Sequence, residues 1–195
     1  MIRIFVAVFP PPEVQEELFQ AARDLQASRD FRLVGQEKIH LTLKFLGDVA
    51  EDDLNSVKQA LKPMRESHEP FVVSTSTFGA FPTGKKARIL WAGIEEGREN
   101  LRAVAEEVEN LLEPAGFERE NRPYIPHLTL GRARTRRTTL DATETSPPAL
   151  RFTVSGVDLV ESAPGKNGVT YSILATYPFA SSQPVSTSAR QPSKS

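Results

Sequence analysis

Apolar residues dominate Ile2–Phe9 and stop abruptly at Pro10-Pro11-Pro12, so the chain opens with a buried strand over Met1–Phe9. Val14, Leu18, Phe19, Ala22 and Leu25 then recur at helical spacing and predict a helix over 12–27. Phe31–Val34 reads as a short strand and Ile39–Leu46 as a stronger one closed by Gly47. A second helix carries Leu54, Val57, Leu61 and Met64 and ends near Pro70. Phe71–Phe78 and Ala87–Ile94 form a strand pair around Pro82-Thr83-Gly84. Leu101, Val104, Val108, Leu111 and Leu112 give a third helix, stopped by Pro114 and Gly116. His127–Gly131 is again a strand, and Leu150–Glu161 with Val169–Tyr177 makes a hairpin around Pro164–Gly168. Helices alternate with strands, but hairpins interrupt them. An α+β fold with antiparallel sheets therefore fits better than a doubly wound parallel sheet.

From Ser181 onward Ser, Pro, Gln, Thr and Lys leave almost nothing to bury, and residues 181–195 read as a disordered tail. The 195 residues suffice for one domain or two small lobes with a real core. With a formal net charge of −1, the molecule has no overall attraction for nucleic acid, so any such contact needs a local patch. The absence of cysteine rules out disulfides, thiolate metal sites and a cysteine nucleophile, and fits a reducing cytoplasm. The N-terminal apolar run is too short to span a bilayer and lacks the basic and small-residue flanks of a secretory signal. No membrane contact is expected.

The chemistry lies in a repeated string. His40-Leu41-Thr42-Leu43 recurs as His127-Leu128-Thr129-Leu130, a little under half the chain later, and takes up two of only three histidines. Two half-domains, each giving one histidine and one hydroxyl, account for that spacing. On a strand, His40, Thr42 and Lys44 share one face while Leu41, Leu43 and Phe45 share the other; His127 and Thr129 likewise oppose Leu128 and Leu130. Two imidazoles flanking one space suit acid–base work near neutral pH, and two hydroxyls can hold the non-bridging oxygens of a phosphate diester. A lone His-x-Thr is usually a half-exposed polar face; its duplication together with the leucines points to function. No Asp, Glu or third His stands at metal-ligand spacing, so neither metal nor cofactor is expected.

With these motifs the sequence resembles the two-histidine phosphoesterases, and within them the RNA 2′,3′-cyclic phosphodiesterase or 2′-5′ RNA ligase-like branch. The resemblance rests on Arg3–Ala7, Lys38–Gly47, Gly79–Pro82, Leu90–Gly93 and Arg122–Arg132, in order from Met1 to about Phe179. It implies a bilobal, duplicated α+β fold occupying 1–180, with two mainly antiparallel sheets flanked by helices and a central cleft. It also implies metal-independent opening of the 2′,3′-cyclic phosphate of RNA or a nucleotide to a 2′-phosphomonoester, by a cytoplasmic monomer. The rivals are a 2′-5′ RNA ligase, an RNA-end-binding protein, or a phosphodiesterase for another small cyclic phosphate. Carried over, His40 and His127 are the acid–base pair and Thr42 and Thr129 bind phosphate. The residues alone leave open which histidine is the acid; the family analogy leans to His40 as acid and His127 as base.

Arg132 matches the arginine that follows the family's second motif. Strict alternation would turn it to the leucine face unless Gly131 hosts a bulge. The alternative is that it only begins a solvated run with Arg134, Arg136 and Arg137. Residues 115–140 hold six arginines against two glutamates, which suits either an RNA-backbone track or a solvated basic loop. Tyr124, Phe9 and Phe81 are candidate stacking faces for a base, with Tyr124 nearest the motif. His68 reads as an inert surface residue and Trp91 as packing.

Overall fold

A computed structural model describes residues 1–25, 29–82, 86–135, 138, 147–165 and 168–180. The turn residues Thr83 and Gly84, the end of the arginine run at Arg136 and Arg137, and the tail 181–195 lie outside the described residues. The strands are β1 (Ile2–Val8), β2 (Phe31–Leu33), β3 (Leu41–Val49), β4 (Phe71–Phe81), β5 (Ile89–Ile94), β6 (His127–Ala133), β7 (Arg151–Val154), β8 (Gly156–Gly165) and β9 (Gly168–Pro178). The helices are α1 (Pro12–Asp24), α2 (Leu54–Ala60), α3 (Met64–Ser67) and α4 (Arg98–Leu112). The strands follow the order β7-β4-β5-β6-β3-β1-β8-β9, with β2 paired to β6 off that path. Every pairing is antiparallel.

That order divides at its centre into two four-stranded halves, each contributing one motif strand, β3 or β6, to the junction. Among the described residues the junction holds one registered pair, Leu41 opposite Leu128. The edge of β6 then passes to β2, whose Phe31, Arg32 and Leu33 pair with Ala133, Arg132 and Gly131.

The helices cover the face opposite the histidines. Pro12 starts α1 where its missing N–H is not needed, and Val14, Leu18 and Ala22 turn one stripe into the core. Leu101, Val104, Val108 and Leu112 do the same for α4. Helix α1 packs against β6 and α4 against β3, so each half's helix supports the other's motif strand. Gln15 of α1 donates its side-chain amide to the Ile39 carbonyl at 2.9 Å, fixing the backbone just before His40.

Two sequence expectations change. The strand expected over Leu150–Glu161 is broken at Ser155: β7 pairs with β4 and β8 with β1, at different places in the sheet. Gly156 makes the crossing possible, because a Cβ there would stand 2.6 Å from the Tyr177 carbonyl oxygen and 2.8 Å from Pro178 Cα. The second helix is likewise two short ones, with Pro63 at the start of α3.

Lys44 also departs from the expected face. Val6 pairs with Lys44 and Ala7 with Thr42, so Leu43 is a bulge residue and both Leu43 and Lys44 point into the helix layer. There the Lys44 ammonium meets a Glu109 carboxylate oxygen of α4 at 2.5 Å and donates to the Glu118 carbonyl at 2.7 Å. Removing one member strands a buried charge, whereas replacing both by apolar groups does not. Glu109→Ala should therefore cost about 3–5 kcal/mol in urea unfolding. Lys44→Met with Glu109→Leu should recover most of that; a single mutant as stable as the wild type would refute the structural role assigned to the pair.

Candidate active site

The two motifs are built alike around their histidines. His40 Nδ1 lies 2.7 Å from the Lys38 carbonyl, and His127 Nδ1 lies 2.7 Å from the Ile125 carbonyl. In each case the ring donates an Nδ1 proton to the backbone two residues earlier. The neutral imidazole is thereby held in the tautomer that leaves Nε2 as the accepting nitrogen. For His40 that nitrogen accepts a hydrogen bond from Thr42 Oγ1 at 3.0 Å. His127 Nε2 has no such partner among the described residues. With Leu41 opposite Leu128, antiparallel order sets His40 beside Thr129 and Thr42 beside His127 across the junction, all four facing away from the leucines. The sequence-predicted pair and both threonines are thus brought to one face.

The rings rest on aromatic walls. Phe5, Phe9 and Tyr171 surround His40 at centroid separations of 5.0, 5.2 and 5.3 Å, with Tyr171 edge-on. Phe81 stands edge-on to His127 at 5.1 Å, and Trp91 lies 6.3 Å away. Sequence reasoning singled out Phe9 and Phe81 but assigned Trp91 to packing and did not see Tyr171, which comes from β9. A Cβ on Gly79 would sit 2.2 Å from the indole ring and one on Gly93 3.1 Å from it, so these glycines clear the surface on which the indole lies.

Tyr124 is the remaining stacking candidate. Its ring packs on the main core and its buried hydroxyl has no partner among the described residues, so burial pushes its pKa upward. His68 is half-buried against Phe179 at 5.3 Å rather than on the surface, away from the two motifs. No group of three His, Asp or Glu among the described residues is placed to hold a metal ion.

Arg132 reaches the motif face through the bulge anticipated at Gly131. Leu90 pairs with Gly131 and Trp91 with Thr129, so Leu130 is the unpaired residue. Leu130 and Gly131 both turn to the core, and Arg132 returns to the side of His127 and Thr129. Its charge is felt by the Tyr171 hydroxyl, whose pKa burial raises and Arg132 lowers. The same bulge one residue after Thr42 gives the first motif Phe45 at the equivalent position, 71% exposed and 5.9 Å from Phe5.

Burial depresses both histidine pKa values, against the opposing pull of the backbone carbonyls. A charge on His127 adds a smaller downward push on His40. An anion placed between them reverses that sign and favours one imidazolium.

The chain belongs to the 2′-5′ RNA ligase superfamily, whose model matches residues 10–166. An RNA 2′,3′-cyclic phosphodiesterase from Thermus thermophilus is 30% identical over 186 residues, covering 90% of this chain and 89% of that protein. The Methanocaldococcus jannaschii protein of the same name is 31% identical over 133 residues, covering 68% of this chain and 72% of its own. Among solved structures, one from Thermus thermophilus superposes with a TM-score of 0.79 at 26% identity, covering 93% of this chain and all of that one. The apo form of E. coli LigT shares the fold, with a TM-score of 0.75 at 23% identity, covering 91% of this chain and 97% of that one.

Since both folded-state values lie below the ordinary 6.5, the singly protonated pair is most populated on the acid side of that value. The kcat/KM profile, which reports the free enzyme, should be a bell with its maximum below pH 6.5. The unfolded chain binds protons more readily than the folded one, so the histidine contribution to stability is intact above pH 6.5 and declines below it. Trp91, the sole tryptophan, should report the His127 titration as a fluorescence change that vanishes in His127→Ala. A flat rate profile, or a fluorescence transition that persists in His127→Ala, would contradict this electrostatic picture.

Proposed function

We propose that the protein is a metal-independent RNA 2′,3′-cyclic phosphodiesterase, with residues 1–180 as its phosphoesterase domain. The observation that carries this reading is the pair of matched imidazoles, each locked by a backbone carbonyl at 2.7 Å on strands that meet antiparallel at Leu41 and Leu128. The names of the relatives supply the substrate class, the 2′,3′-cyclic phosphate end of RNA.

In this mechanism His127 takes a proton from water with its unengaged Nε2, and the water oxygen forms the new bond to phosphorus. The bond from phosphorus to the 3′ oxygen breaks, and His40 supplies the proton that oxygen needs. The product is a 2′-phosphomonoester with a free 3′ hydroxyl, and solvent restores the protonation of both rings. Thr42 and Thr129 donate hydrogen bonds to the non-bridging oxygens, with Arg132 beside them to balance the anion. Protonation of His40 Nε2 releases the Thr42 hydroxyl to donate to phosphate, while His127 Nε2, without a partner among the described residues, is free to face water. The site as drawn acts in a cytoplasmic monomer, a location that fits the cysteine-free sequence. No helix among the described residues is long and apolar enough to cross a membrane.

The test uses an oligoribonucleotide with a 2′,3′-cyclic phosphate end in excess EDTA, with products identified by phosphorus NMR. The expected result is turnover to the 2′-monoester, reduced about 10²-fold or more by either His40→Ala or His127→Ala. Both variants should keep the wild-type melting transition. Dependence on added metal, a 3′-monoester product, or a near-normal rate in either variant would overturn the mechanism.

A further inference from the structure

We propose that Arg32 binds the internucleotide phosphate next to the reacting one, so that the enzyme selects chain ends over mononucleotides. This rests on the phosphodiesterase reading above and extends it to a residue outside both motifs.

The placement comes from the pairing of β2 with β6. Arg32 stands directly opposite Arg132, and directly opposed residues in an antiparallel pair share a face. Phe31 beside it is fully buried in the core, while Arg32 and Arg132 are both exposed. Arg132 is on the histidine side, since the bulge at Leu130 turns Leu130 and Gly131 inward and returns Arg132 to the face of His127 and Thr129. Arg32 is therefore on that side too. Neither guanidinium has an ion-pair or hydrogen-bond partner among the described residues, although Arg3, Arg102, Arg119, Arg122 and Arg151 all meet carboxylates.

Like charges directly opposed across a strand pair are destabilising, and a shared counter-charge removes the penalty. One cyclic phosphodiester does not suffice as that counter-charge. It carries a single negative charge, which Arg132 and one imidazolium already meet. Because Leu130 is bulged, Thr129 to Arg132 spans only Trp91 to Ile89 on the partner strand, so Arg132 and Arg32 begin about 7 Å along the groove from Thr129, two rises at roughly 3.3 Å each. Arg132 can fold back toward the histidines from there. The second guanidinium then faces the next phosphate of a polynucleotide, a group that a mononucleotide lacks.

The experiment compares wild type, Arg32→Ala and Arg32→Lys on adenosine 2′,3′-cyclic phosphate and on a trinucleotide ending in the same group. We expect Arg32→Ala to lower kcat/KM for the trinucleotide roughly tenfold or more relative to the mononucleotide, as for loss of a charged hydrogen bond. The loss should appear mainly in KM, and Arg32→Lys should restore part of it. The salt dependence of trinucleotide kcat/KM should flatten by about 0.7 in log–log slope, one phosphate contact on a single strand. Equal losses on both substrates, or none on either, with an unchanged melting temperature, would overturn the role of Arg32. Failure of the wild type to open either substrate would instead refute the phosphodiesterase reading itself.

Discussion

The antiparallel contact between the two motif strands is the constraint from which the site follows. Leu41 and Leu128, both fully buried, meet at the centre of the sheet, and every other functional position is counted from that pair. One residue to either side lie a histidine and a threonine from opposite halves. If the two half-sheets separated, each would keep an imidazole bonded to its own backbone but would lose the shared space. The helices guard against this by crossing over: α1 from the first half supports β6, and α4 from the second supports β3 through the buried Lys44–Glu109 pair.

A second constraint refines what that contact presents. Each motif strand carries a bulge at its final leucine, Leu43 or Leu130, so two consecutive residues turn inward and the following one turns out. The same backbone device gives different chemistry in the two halves. In the first it buries Lys44 and exposes Phe45; in the second it buries Gly131 and exposes Arg132. Gly131 suits the inward position because a Cβ there would stand 3.2 Å from the Arg32 carbonyl oxygen of the adjacent strand. The duplication thus supplies symmetrically held imidazoles on an otherwise asymmetric surface, with an apolar wall on one side and cationic groups on the other.

Much of this was legible in the chain. The duplicated string identified the histidines and threonines because period-two alternation separates them from the leucines, and burial of those leucines is what the fold requires. The placement of Arg132 was readable only because Gly131 suggested a bulge. Lys44 and Phe45 were misplaced because the first motif has no glycine at that position, and a bulge set by pairing with β1 leaves no local mark. Tyr171 and Arg32 were invisible for a related reason. Their relation to the histidines depends on which strands become neighbours, and alternation along one strand carries no information about its partner. The break at Gly156 was missed because a strand that changes neighbours looks, along the sequence, like one that does not.

The central claim is that two backbone-locked imidazoles offer their Nε2 atoms to one anion. Long-range proton–nitrogen NMR correlation of the histidine rings, with and without a 2′-nucleotide, tests it most directly. The account predicts that the neutral forms of His40 and His127 both carry the proton on Nδ1, and that the nucleotide shifts the Nε2 resonances of both together. Protonation at Nε2 in either neutral ring, or a response confined to one histidine, would contradict it.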